Sequence, residues 1–134
     1  MKASTLSFRL AVLFVIAGMA MGIGMAASHD HSIMPAHAHL NLLGWVSLFL
    51  FGVYYKLHPR LETSRLALVQ VGVWSVGTVV MTASVAAIHL GYAAAEPAAA
   101  VSSLVVLGAM LLFGYLVYRP SLAAEPAISL TPAE

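Results

Sequence analysis

The stretch "MPAHAHLNLLGWVSLFLFGVYYKLHP", residues 34–59, decides how this chain folds. Pro35 suits the first turn of a helix, where its missing N–H leaves no hydrogen bond unmade. Over residues 36–57 the only formal charge is Lys56, and apolar side chains dominate. A helix of about 20 such residues crosses the roughly 30 Å hydrocarbon layer of a membrane. His58-Pro59 then ends it, because the residue before a proline is pushed out of helical conformation.

The rest of the chain repeats this pattern. Of 134 residues, 61% are apolar and 8% charged, whereas a soluble domain carries roughly a quarter charged. Three more apolar runs, 10–27, 66–90 and 98–117, approach membrane-crossing length. The expected architecture is an all-α membrane protein, a four-transmembrane-helix bundle forming one domain over residues 1–118. Residues 119–134, rich in Ala, Pro and Ser, read as a flexible tail. The first run also has the basic start, apolar stretch and small residues of a secretory signal. Its length, and the spacing of Gly18 with Gly22 and of Ala20 with Gly24, favour a retained helix. The absence of cysteine excludes disulfides and thiolate chemistry. A net charge of +1 provides no basic stripe for nucleic acid.

Charge is distributed by end. Lys2, Arg9, Lys56, Arg60, Arg65 and Arg119 all fall at one end of the four spans, and the other connections carry only Asp30 and Glu96. Cytoplasmic loops hold the excess of Lys and Arg, so both termini are expected in the cytoplasm. Histidines favour the opposite end: His29, His31, His37, His39 and His89 lie there, and only His58 joins the basic residues. An ionisable residue in a span is a functional candidate by default.

His37 and His39 sit about 200° apart around a regular helix, so they mark two faces and make no simple clamp. His37 continues through Asn41, Gly44, Leu48 and Gly52, a mostly small and polar seam suited to close helix packing. His39 continues through Leu42, Leu43, Val46, Phe49, Leu50 and Val53. That apolar face suits lipid, a second protomer or a flat apolar cofactor. In the third run Ser75, Thr78, Thr82 and His89 form a similar seam, which makes His89 the candidate partner of His37 or His39. Straight helices rising from a common turn put His89 roughly 12 Å farther out than His39. Gly18, Gly22, Gly44, Gly52, Ala83 and Ala87 can bring helices or whole copies close together, so a homo-oligomer is expected.

The core "HAHLNLLGW", residues 37–45, resembles that of small bacterial membrane proteins distantly related to heme-copper oxidase (cytochrome c oxidase) subunit I. The resemblance implies a multi-pass protein of the bacterial inner (cytoplasmic) membrane with a respiratory membrane partner. It also implies electron transfer through heme b, held by histidines among His37, His39 and His89. The copper-and-tyrosine centre of the large subunits has no counterpart here, so oxygen reduction by this chain alone is not expected. Read from the residues themselves, two other possibilities stand beside heme. One is copper or zinc at His29, His31, His37 and His39, near Asp30, Met19, Met21 and Met25. Thioether with imidazole suits Cu(I), while imidazole with carboxylate suits zinc. The other is an accessory membrane subunit without a cofactor.

Overall fold

Four helices long and apolar enough to cross a membrane dominate the computed structural model, which describes residues 1–119. They are α1 (Ala3–Ser28), α2 (Met34–Leu57), α4 (Arg65–His89) and the segment Ala93–Tyr118. That last segment opens with a short 3₁₀ turn and continues as α5 (Glu96–Tyr118); a one-turn helix, α3 (Pro59–Glu62), links α2 to α4. Among the described residues there is no strand. The four expected spans are all present, and the expected tail from residue 120 lies outside the described residues.

Local chemistry sets the boundaries. His29 closes α1 in the left-handed conformation, with φ of 54°. Asp30 then accepts the Ser32 N–H at 2.9 Å, turning the chain toward Pro35 in the first turn of α2. His58, at φ −123°, ends α2 ahead of Pro59 as expected. Ser64 caps α4 by accepting the Leu66 N–H. Helix α1 begins at Ala3, seven residues before the expected span, because its first turns are packed: Ala3, Ser4 and Ser7 are buried.

The helices pack in the order α1, α2, α4, α5, and α1 also touches α4. Leu48, Phe51, Tyr55, Val71 and Trp74 form the centre, with Phe51 edge-on to Trp74 at 5.0 Å and 4.4 Å from Phe113 of α5. Lipid offers no hydrophobic gain for helix association, so close approach must hold the bundle. Glycines provide it. A Cβ on Gly44 would lie 2.8 Å from Phe14, on Gly52 2.7 Å from Phe8, and on Gly77 2.8 Å from Val106. Gly18, Gly22, Gly44 and Gly52, expected to face another helix or another copy, are therefore occupied inside the chain.

At the basic end a buried carboxylate ties three segments together. Glu62, 5% exposed, accepts from the Ser4 hydroxyl at 2.5 Å and pairs with Lys2 at 3.3 Å and Lys56 at 3.4 Å. The Ser4 hydrogen bond, reinforced by the two lysines against the effect of burial, holds its carboxyl below the usual glutamate range.

The middle of α2 is not α-helical. Leu40–Ser47 is a π-helix, whose wider turns place the buried residues Ala36, Leu40, Gly44 and Leu48 four apart. Side chains compete with the backbone for its carbonyls. Asn41 Nδ2 donates to the His37 carbonyl at 2.9 Å, Ser47 Oγ to Leu42 at 2.9 Å, and Trp74 Nε1 to Leu43 at 3.0 Å. Carbonyls drawn to these donors are no longer held to regular i→i−4 spacing.

Candidate functional site at the histidine end

The two histidines that open α2 have different partners. His37 leans on α1, where its Cε1 lies 3.1 Å from the position a Cβ would take on Gly22. The amide of Asn41, one turn below, fits over Gly18, and its Nδ2 is 3.2 Å from His37 Nε2. His37 and Asn41 thus fill the notches left by Gly22 and Gly18, as the small seam led one to expect. The imidazole, half-buried, packs against α1 through its Cε1 edge.

His39 is arranged otherwise. Its Nδ1 lies 2.7 Å from the Pro35 carbonyl. A carbonyl only accepts, so Nδ1 carries the proton and the lone pair is left on Nε2. Metal-bound histidines commonly hold their second ring nitrogen in such a bond. The bond alone does not mark a ligand, since His58 makes the same one to the Tyr54 carbonyl at 2.7 Å. Along the expected apolar face of α2, Leu42, Val46, Phe49, Leu50 and Val53 are exposed. Leu43 is half-buried, its carbonyl taken by Trp74.

His89 has the same ring bond, from Nδ1 to the Val85 carbonyl at 2.8 Å, but it is exposed in the last turn of α4. The rest of its expected seam is buried: Ser75 and Thr78 bond back to Val71 and Trp74, and Thr82 is buried with a hydroxyl that has no partner among the described residues. The seam stops short of His89 because α4 outreaches α2. His39 is 18 residues from Leu57, while His89 is 24 residues from Arg65, which puts His89 about 9 Å farther out at 1.5 Å per residue. Two imidazoles on one iron bring their nitrogens within about 4 Å, twice a metal–nitrogen bond. His89 is exposed, and its ring nitrogen bonds to a carbonyl of its own helix.

The loop histidines His29 and His31 are exposed, and among the described residues no three His, Asp or Glu side chains are grouped to hold a metal ion. Asp30 is engaged by Ser32, whose hydroxyl and N–H hold its carboxyl below the usual range. Of the methionines near them, Met25 is buried, Met21 half-buried and Met19 exposed. Open apolar grooves of 460 to 550 Å³ run along the sides of the bundle, and none of these has a histidine in its lining.

Residue-level reading of the sequence missed Trp74, Gln70 and Glu62. Trp74 and Gln70 stand as polar-capable side chains within an apolar run, the signal that a span faces other helices there. Glu62 stands as the one acid in the basic linker, which is the signal for a local ion pair. Comparison of the chain with protein-family models, with curated proteins and with solved structures finds no match.

Proposed function

We propose that this chain is a small multi-pass subunit of respiratory type in which His39 would supply one imidazole ligand to a heme b completed by a second chain. The second chain is either a respiratory membrane partner or another copy of this one. The observation that carries this reading is the 2.7 Å bond from His39 Nδ1 to the Pro35 carbonyl, which places the proton on Nδ1 and leaves the lone pair on Nε2. The exposed apolar face below it offers a surface against which a flat macrocycle can lie. By the excess of Lys and Arg, the end bearing Lys2, Lys56 and Arg119 faces the cytoplasm of a bacterial cell and the histidine end faces outward. When bound, heme supplies one-electron exchange. The protein's part is to orient His39 and to exclude water.

The test is the absorption spectrum of the full chain purified in mild detergent from heme-replete cells. A Soret band is expected, lost in His39→Ala and kept in His89→Ala. No Soret band in the folded wild-type chain, or a band that survives His39→Ala, overturns the reading. A second reading, a cofactor-free accessory subunit, is favoured by His37, whose ring is engaged in helix packing with Gly22 and Asn41. On that reading the chain is colourless, elemental analysis finds no copper or zinc at His29 and His31, and His39→Ala leaves unfolding unchanged.

A further inference from the structure

Three polar side chains with no part in the histidine site are buried in the half of the bundle nearer the basic end. Ser7 of α1, Tyr55 of α2 and Gln70 of α4 are each 0% exposed. Helix geometry puts them at one level. Ser4, Lys2 and Lys56 all bind Glu62, which aligns the basic ends of α1 and α2 with the linker that leads into α4. From those ends Ser7 is four residues into α1 and Gln70 five into α4, about 6 and about 7.5 Å along their axes. Helix α2 runs the other way, and helical side chains lean toward their own N-terminus. Tyr55, two residues from the end of α2, therefore points its ring toward the same level, and its hydroxyl donates to Gln70 Oε1 at 2.9 Å.

Two atoms in this layer are left over. Ser7 Oγ and Gln70 Nε2 are buried without a hydrogen-bond partner among the described residues. Turning the amide around changes which of its atoms is left over, and one always is. An unbonded buried polar group is costly, and more so where hydrocarbon surrounds the bundle. Ser7 also forgoes the usual helical remedy, a bond back to a carbonyl one turn earlier, which Ser75 and Thr78 both use. Internal waters occupy places where two to four such groups converge.

We infer that Ser7, Tyr55 and Gln70 form a binding site for one internal water molecule, which joins α1 to the pair made by α2 and α4. The water accepts from the Gln70 amide and donates to the Ser7 and Tyr55 oxygens, whose lone pairs are otherwise unused. The site holds α1 to α4 at a level where no direct side-chain bond among the described residues does so.

Solid-state NMR of the full chain in lipid bilayers tests this through magnetisation transfer from water to the Gln70 side-chain amide. Transfer is expected in the wild type and in Ser7→Thr, which keeps the hydroxyl, and is expected to be several-fold weaker in Ser7→Ala. The unfolding midpoint of Ser7→Ala should also fall by a few degrees. If Ser7 and Gln70 instead bond directly, the wild type shows no transfer and the inference is overturned. It is equally overturned if Ser7→Ala unfolds at the same or a higher temperature, the result for deleting a hydroxyl that bonds nothing.

Discussion

At the residue scale, the glycines of this bundle divide into those that are filled and those that are free. Gly44 is the most constrained, because a methyl group there meets Cβ and Cγ of Phe14 at 2.8 Å, atoms fixed to the α1 backbone. Gly52 faces only the far edge of the Phe8 ring, which can swing aside. Gly72 has no atom within 4 Å of an added Cβ. Gly44→Ala should therefore lower stability by about 1–3 kcal/mol through overpacking. Gly72→Ala should raise it by about 0.5–1 kcal/mol through helix propensity. Unfolding curves in detergent measure both, and equal effects at the two positions would sink the distinction. The role of His37 was half legible in the same way. Its four-residue spacing to Asn41 and the Gly18–Gly22 pair on α1 pointed to two complementary seams, but only the structure sets ring against glycine.

At the scale of the element, α2 shows where period-based reading runs out. Its start, its end and its two faces follow from Pro35, Pro59 and the apolar pattern. The π-helix over Leu40–Ser47 does not, because the side chains that draw off its carbonyls include Trp74, 31 residues away in sequence. A regular 3.6-residue period selects His37, Asn41, Gly44, Leu48 and Gly52, while the wide turns bury Ala36 and Leu40 in addition. Trp74→Phe keeps an aromatic ring against Phe51 and deletes the bond to Leu43, so it should cost about 0.5–1.5 kcal/mol. Asn41→Leu removes the donor on the His37 carbonyl and should return the start of the segment toward α geometry. Carbonyl chemical shifts over residues 37–47 report that change. If they are the same in Asn41→Leu as in the wild type, side-chain competition is not what widens the helix.

For the whole molecule, the solvent made the fold legible. Hydrocarbon dictates span length and apolar content, so four helices could be counted from composition and run length alone. The way the helices are tied at the basic end could not, since "LHPRLETS" reads as a linker and gives no hint that Glu62 is buried beneath Ser4, Lys2 and Lys56. That clamp joins α1, α2 and the linking helix α3, and it makes stability depend on pH with a definite sign. The Glu62 carboxyl is held below the ordinary glutamate value of about 4.3, chiefly by Ser4 and then by the two lysines. A folded-state value below the unfolded one means the unfolded chain binds the proton more readily. The contribution of Glu62 is thus complete above the ordinary glutamate range and is lost as pH falls through the lower, folded-state value. Unfolding midpoints in detergent should be flat from pH 8 to pH 6 with respect to this group and decline below pH ~4. Glu62→Gln keeps a hydrogen-bond acceptor for Ser4 but loses both ion pairs. It should start from a lower midpoint at pH 7 and show a shallower decline in acid. If wild type and Glu62→Gln decline in parallel as the pH is lowered, the carboxylate is not what fastens the basic end.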